Sequence, residues 1–429
     1  MFRQIVLAIA LVLGCSLSAE AFCGFYVAKA DGSLYNQSSK VVFVRDGRKS
    51  TITMSSDYRG AASDFAMIVP TPRVLRREQV DTVDADIVAH LDSYTAPRLV
   101  EYFDHDPCDG PIIEPGGVVA EFNSGLLTRR SAPSRRAGAA ALGVRIAAEY
   151  AVGNYDILIL KAKQSDGLSI FLKQEGYKLP DGAEAVLGDY IKAGMKFFVA
   201  RVNLGRHSAS QTKELPPLQI SFRADKFMLP IQLGKLNADK AQDALFFMLA
   251  REGRVEVANY KAKALPTDEN VPPLVENYFP QFYKAAFNRT VGSRGGIAME
   301  YAWDMSWCDP CAADPLPNDD LRALGVSWIK GDNTAQQDVY VTRYHAQYTK
   351  NQMPKDVVFK VTDNRNNFQG RYVMNQPFDG EITCAEGQRY VRDKKARMRK
   401  EEARLRKLTG WSAGFVTKAV LQSVPRIYW

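Results

Sequence analysis

Lys40 to Arg45 (KVVFVR) and Ser50 to Met54 (STITM) are strand-like runs on either side of Asp46-Gly47. An Asp-Gly pair supplies the positive φ values that a two-residue hairpin turn requires, so the turn fixes the two runs as antiparallel neighbours. No other short string constrains the chain as tightly.

Similar signals recur downstream. Asp64 to Val69 (DFAMIV) reads as an apolar strand stopped by Pro70-Thr71-Pro72, and Asp84 to Leu91 reads as a capped helix. Gly143 to Tyr150 and Tyr155 to Lys161 are strands around Val152-Gly153-Asn154, and Ser165 to Gln174 has helical spacing at Leu168, Phe171 and Leu172. Met195 to Leu204, Leu218 to Arg223 and Phe227 to Leu233 read as strands. So do Ala244 to Arg251 and Val255 to Tyr260, a pair around Glu252-Gly253. Pro272 to Phe287 predicts a helix interrupted at Pro280, with an aromatic stripe that packs a core. Ile297 to Trp303 predicts a strand, Asp319 to Leu324 a short helix, and 339–346, 356–362 and 368–374 strands. No internal repeat on the roughly 20-to-50-residue scale is visible. The fold class is α+β, with mostly antiparallel strands, interspersed short helices and a basic C-terminal helix.

Arg3 is the only charged side chain before an apolar run of ten residues, Ile5 to Gly14, and Ala19-Glu20-Ala21 follows as a small-x-small cleavage signal. The run is short of the roughly 20 residues that span a bilayer. Residues 1–21 are therefore expected to be a cleaved export signal, with Phe22 opening a periplasmic or extracellular chain. Val12-Leu13-Gly14-Cys15 resembles a lipoprotein processing box; the alternative is a chain anchored through a lipidated Cys15. Residues 22–385 form the expected globular unit. The Arg, Ser, Ala and Pro bias of 128–143 marks either a connector between two subdomains or a protruding hairpin tip.

Charge is placed unevenly. Residues 389–407 hold ten Lys or Arg against three acids, +7 of the chain's formal +8, and 128–143 adds +4. The remainder sums to about −3, a body with no general field for polyanions, so a nucleic-acid partner is not expected. The segment 386–429 joins this basic helix to GWSAGFVTKAVLQSVPRIYW, which could rest weakly on an anionic membrane face. The expectation preferred here is a solvated helix, with opposite charges spaced as in Arg397/Glu401 and Glu402/Arg406, docked by its apolar tail onto the domain.

After removal of the signal five cysteines remain, Cys23, Cys108, Cys308, Cys311 and Cys384, all disulfide candidates in an oxidising compartment. Cys308 and Cys311 lie in SWCDPCAADPLPND. Thiol-disulfide exchange would need Cys308 at a helix N-terminus, where the dipole stabilises a thiolate. The apolar run IAMEYAW before the motif and a Met353-Pro354 that could face it locally resemble thioredoxin. Pro315 and Pro317 argue against this, because an interior proline costs a helix roughly 3 kcal/mol. A structural role follows. Since pairing of neighbours three apart is strained, at least one of the two is expected to bond a partner distant in sequence.

The remaining candidates are weaker. A zinc clip would need two ligands beyond Cys308 and Cys311, and His105, Asp106 and Cys108 form the only other dense donor cluster; no metal or cofactor is expected. His90, His207 and His345 lie in unrelated contexts and read as surface or satisfied core histidines. VGSRGG at 291–296, with Arg294, matches no phosphate-binding pattern and reads as a surface turn.

Several strings in order, CGFYVAKADG (23–32), DFAMIVPTP (64–72), TAPRLVEYF (95–103), Asp106-Pro107-Cys108, YDILIL (155–160), RVEVANY (254–260), WDMSWCDPC (303–311) and NFQGRY (367–372), resemble the exported bacterial domain-of-unknown-function family numbered 2330. The resemblance reaches about Cys384 and implies export and one shared globular unit, with no activity, ligand or catalytic residue to carry over. Some members carry a second cysteine just after the first, and this chain has none near Cys23. The expected protein is an exported, disulfide-stapled envelope protein with a non-catalytic binding or structural role. The alternative is a periplasmic thiol-disulfide oxidoreductase with Cys308 as nucleophile and Cys311 as resolving thiol.

Overall fold

The computed structural model describes residues 25–28, 35–59, 65–109, 142–203, 215–237, 241–308, 311, 313–331 and 338–428. The strands, in chain order, begin with β1 (Phe25–Ala28), β2 (Tyr35–Asp46), β3 (Lys49–Arg59), β4 (Phe65–Thr71), β5 (Val80–Thr82), β6 (Arg98–Phe103), β7 (Val144–Val152), β8 (Tyr155–Ala162), β9 (Lys196–Val202) and β10 (Leu218–Arg223). They continue with β11 (Met228–Leu229), β12 (Gln242–Ala250), β13 (Val255–Val257), β14 (Ala262–Ala264), β15 (Glu269–Val271), β16 (Gly296–Asp304), β17 (Tyr340–Tyr348), β18 (Val357–Val361), β19 (Phe368–Gln369) and β20 (Arg371–Gln376). The helices are α1 (Ala85–Thr95), α2 (Ser165–Gln174), α3 (Ala183–Lys192), α4 (Phe279–Val291), α5 (Asn318–Ala323), α6 (Ala385–Thr409) and α7 (Ala413–Gln422).

Two large sheets face each other. One runs β1-β4-β9-β8-β7; the other runs β14-β16-β17-β12-β2-β3-β10-β5, with β19 beside β16. Between them lies the main core, Val41, Phe43, Ile52, Met54, Phe246 and Met248 meeting Met67, Val69, Ile157, Ile159, Phe198 and Ala200. α2 and α3 cover the outer face of the first sheet through Leu168, Phe171, Leu172 and Leu187. α1 and α5 cover the second through Val88, Leu91, Leu321 and the strand residues Val42, Val44, Phe247 and Leu249. The result is a helix-sheet-sheet-helix stack, and it explains KVVFV: Val41, Phe43, Val42 and Val44 are all buried because the sheet is covered on both faces. A smaller sheet, β15-β20-β6, carries α6 and α7, and β11-β18-β13 closes one end of the main core. The class is α+β with mostly antiparallel pairing.

The hairpin at Asp46-Gly47 forms with Gly47 at φ +52° and Asp46 opposite Lys49. Asp84 caps α1 by accepting from the Asp86 amide at 3.0 Å. The strand over 64–69 extends through Pro70 to Thr71, because β1 covers only Phe65–Ile68 of its neighbour and leaves the proline on an unpaired edge. Pro280 starts a helix rather than interrupting one: a 3₁₀ turn over Pro273–Tyr278 hands over to α4, whose first turn contains the proline. Phe227 to Leu233 keeps strand geometry only at Met228–Leu229. Glu252-Gly253 separates strands of different sheets; a Cβ on Gly253 would sit 2.8 Å from the Asn364 carbonyl oxygen, so the glycine serves a close backbone approach. Most of 128–143 lies outside the described residues, but β4 pairs with β9, so the chain on its two sides shares a sheet. Among the described residues no helix is long and apolar enough to cross a membrane.

Candidate functional site

Cys108 and Cys384 stand with their sulfurs 2.16 Å apart, 276 residues apart in sequence. Cys384 is also the N-cap of α6, its Sγ accepting from the Gly387 amide at 3.2 Å, so this pair ties the basic helix to the end of β6. Cys308 and Cys311 face each other at disulfide distance. This corrects the expectation of a distant partner for one of them: the long-range pair is the other two. Cys308 packs against the core beneath α1 and α5, and Cys311 is exposed. Cys23 and Cys15 lie outside the described residues.

The thioredoxin-like arrangement is not formed. Among the described residues the first helix after Cys308 begins at Asn318. Cys308 follows the end of β16 where Asp304 pairs with Tyr340, whereas Pro354 follows Tyr348 at the far end of β17. A nine-residue strand separates these points, roughly 27 Å at 3.4 Å per residue. Among the described residues no three His, Cys, Asp or Glu side chains converge as metal ligands. His90 makes a surface contact to the Asp314 carbonyl at 2.8 Å, and Arg294 is exposed on the turn after α4. His207 lies outside the described residues.

His345 is a satisfied core histidine at the centre of a charged brace that its sequence context does not announce. A bulge between Met299 and Tyr301 on β16 turns Glu300 onto the same sheet face as Arg343 and His345 of β17. Arg343 Nε donates to Glu300 Oε2 at 2.6 Å and its Nη1 meets Asp92 of α1 at 2.7 Å. His345 Nε2 reaches Asp243 Oδ1 at 2.9 Å, its Nδ1 reaches Glu300 at 3.2 Å, and Tyr283 of α4 donates to Glu300. The Phe287 ring stacks on the imidazole at 3.8 Å. Burial pulls the His345 imidazolium down, but hydrogen bonds to Asp243 and Glu300 outweigh it and raise its pKa to about 9. Burial pushes Glu300 up, yet Arg343 and His345 hold it at about 2. A histidine donating from both ring nitrogens is not free to act as a base. With Lys40 on Asp92 at 2.7 Å, three cations meet three carboxylates, and the group is a neutral brace tying α1 and α4 to the sheet.

The concave site is elsewhere, where the two large sheets part. Its inner lobe, about 150 Å³, is walled by Ile52 and Met54 of β3, Val69 of β4, Phe222 of β10, Met195 and Met228. Pro70, Pro72 and Pro230 rim it, at the points where β4 and β11 end. Pro72 and Pro230 directly follow the last residues of β4 and β11, where a proline cannot continue a ladder, whereas Pro70 lies within β4 opposite Phe197. An outer lobe of about 360 Å³ shares Ala193, Met195, Lys226 and Met228 with the first and adds Tyr190, Gln232, Pro354 and Asp356.

The polar wall of the outer lobe is pre-arranged. Asp356 Oδ1 accepts from Tyr190 Oη at 2.7 Å and from the Ile231 and Gln232 amides at 2.9 and 3.3 Å. Burial nevertheless holds its carboxyl above the usual range. Met353 takes φ +49°, a strained value for a non-glycine residue, and its carbonyl is held by Lys235 Nζ and Gln232 Nε2, each at 3.0 Å. Lys226, exposed at the junction of the lobes, acts by its charge on the Asp356 carboxyl of the same wall. Sequence reasoning missed this site; its one local signal is the trio of prolines beside apolar strands.

No curated protein and no solved structure matches the chain. One family model does, over residues 17–360, which takes in both large sheets except β19, the cleft and the Cys308/Cys311 pair but stops short of α6. The chain belongs to the DUF2330 family, described as uncharacterized proteins conserved in bacteria.

Proposed function

We propose that the protein is an exported, non-catalytic binding protein of the bacterial envelope, and that its ligand is a small apolar molecule carrying one anionic group. The supporting observation is the cleft between the sheets, in which a lobe lined by Met54, Met195, Met228 and prolines opens beside the exposed Lys226 ammonium. An apolar cleft with a few fixed polar groups is the common form of a small-molecule site. A cavity of about 150 Å³ accepts a body the size of an aromatic ring. Methionine side chains adapt to varied apolar shapes.

The test titrates the protein with anilinonaphthalene sulfonate and with the uncharged N-phenylnaphthylamine. Saturable binding of both is expected. Ala193→Trp, at an exposed rim position, should abolish both, and Lys226→Glu should weaken only the sulfonate, by about fivefold or more, the worth of roughly 1 kcal/mol from an exposed charge. Unchanged binding of both probes in Ala193→Trp would remove the cleft as the site.

A further inference from the structure

We propose that the outward face of α6 is a docking surface for an anionic phospholipid bilayer. The helix buries Gly387, Val391, Lys394, Met398, Glu401, Leu405 and Leu408, a three-four spacing that fixes one side against the small sheet and α7. The opposite side is thereby set outward. It carries Arg389, Arg392, Arg399, Lys400, Arg406 and Lys407, all exposed and none in a hydrogen bond or ion pair among the described residues. Two acids stand beside them, Asp393 and Glu402, the second partly exposed and accepting from the Thr417 hydroxyl at 3.0 Å, with Glu386 at the first turn; Arg404, also exposed, is neutralised by Glu269 at 2.9 Å.

From Arg389 to Lys407 the row is about 27 Å long at 1.5 Å per residue. Between the cations stand Ala396 and Ala403, whose short side chains leave the row flat. A straight, flat row of cations matches a planar anionic surface, and clusters of this size are attracted to anionic headgroups. No aromatic side chain interrupts the row to stack a base, which separates it from single-stranded nucleic-acid sites. The apolar N-terminal run predicts a compartment in which the membrane is an abundant polyanion. Cys108–Cys384 and the buried seam hold the row rigid, so little ordering is needed on docking.

The test is sedimentation of the full chain with vesicles of phosphatidylglycerol and phosphatidylcholine, against phosphatidylcholine alone. Binding to the anionic vesicles is expected at an ionic strength of about 0.01 M, where the screening length is about 30 Å, and loss of binding at about 1 M, where it is about 3 Å. Arg392→Gln, Arg399→Gln and Arg406→Gln together should lower partitioning about 100-fold, about fivefold per charge. Retained probe binding in the cleft and an unchanged circular dichroism spectrum would show that the variant is folded. Equal binding to both vesicle types, or undiminished binding by the folded variant, overturns the proposal. So does displacement from the vesicles by an equimolar DNA duplex, which would mark the row as a general polyanion binder.

Discussion

Arg343 Nε lies 2.6 Å from Glu300 Oε2, and neither side chain is more than 6% exposed. A buried ion pair is a weak source of net stability, because desolvation offsets the attraction, but removal of one partner leaves the other as an uncompensated buried charge. Glu300→Leu should therefore destabilise by about 3–5 kcal/mol, and Arg343→Met by a similar amount. Joint replacement should cost less than the sum, because the two changes share one interaction. Denaturant titration of the four proteins measures this; an additive double mutant would show that the pair is not coupled.

The same brace sets a pH dependence. His345 is held at about 9, above its unfolded value near 6.5, so its contribution is complete below pH 6.5 and is lost as pH rises through 9. Glu300, held at about 2, contributes above its unfolded value near 4.5 and loses its contribution as pH falls toward 2. Unfolding free energy should decline between about pH 7 and 9 by up to roughly 3 kcal/mol, and His345→Gln should flatten that decline. An unaltered alkaline slope in the variant would assign it to other groups.

The cysteine pairs should differ in their effect on stability. In the chain-entropy account a loop closed over a separation of 276 residues is worth up to roughly 5.6 kcal/mol, whereas a loop of a few residues is worth roughly 2 kcal/mol. Non-reducing peptide maps should recover Cys108 with Cys384 and Cys308 with Cys311, and Cys384→Ser should lower stability more than Cys311→Ser. After reduction, Cys384 at the start of a 25-residue helix should be alkylated faster near neutral pH than Cys311, because the Gly387 amide and the helix dipole favour its thiolate. The periplasmic oxidoreductase alternative requires the reverse, with Cys308 the reactive thiol.

How much of this was legible in the sequence depended on range. Asp46-Gly47, the Asp84 cap and the Ser165 start lie beside the elements they define, and those elements were readable. The parallel pairing of β2 with β12 joins Val41 to Phe246, and no local pattern specifies such a partner. α3 was not read as a helix, and β6 was noticed only as part of a family string. His345 could be read as satisfied but not by what, since Glu300, Tyr283 and Asp243 lie 45, 62 and 102 residues away. A weak signal was present: Arg343 and His345 at i and i+2 in YVTRYHAQY, and Glu300 in IAMEYAW, are charges inside apolar strands, which fold only if paired. The cleft was not legible because its walls come from strands far apart in the chain.

The seam of α6 offers a last prediction, in which loss of a charge should stabilise. Glu401 occupies a core position between Met398 and Leu405, is 2% exposed, and neither of its oxygens has a hydrogen-bond partner among the described residues. Its nearest cation is Arg397 Nε at 3.6 Å, and that guanidinium already pairs with Asp104. Burial raises its carboxyl above the usual range, against the smaller pull of Lys394 and Arg397. A carboxyl whose folded pKa is raised opposes folding once pH exceeds its unfolded value, so at neutral pH Glu401 destabilises the helix it sits on. Glu401→Leu keeps the helical preference and joins the apolar seam; it should raise stability by about 1–2 kcal/mol at pH 7, and the gain should shrink as pH falls below about 5. Lys394 keeps its bond to the Asn375 carbonyl at 3.0 Å, so no new orphan is created. Thermal unfolding of the wild type and the variant across this range decides it: a destabilised variant at neutral pH would mean that Glu401 is stabilised by more than the contacts to Arg397 and Lys394.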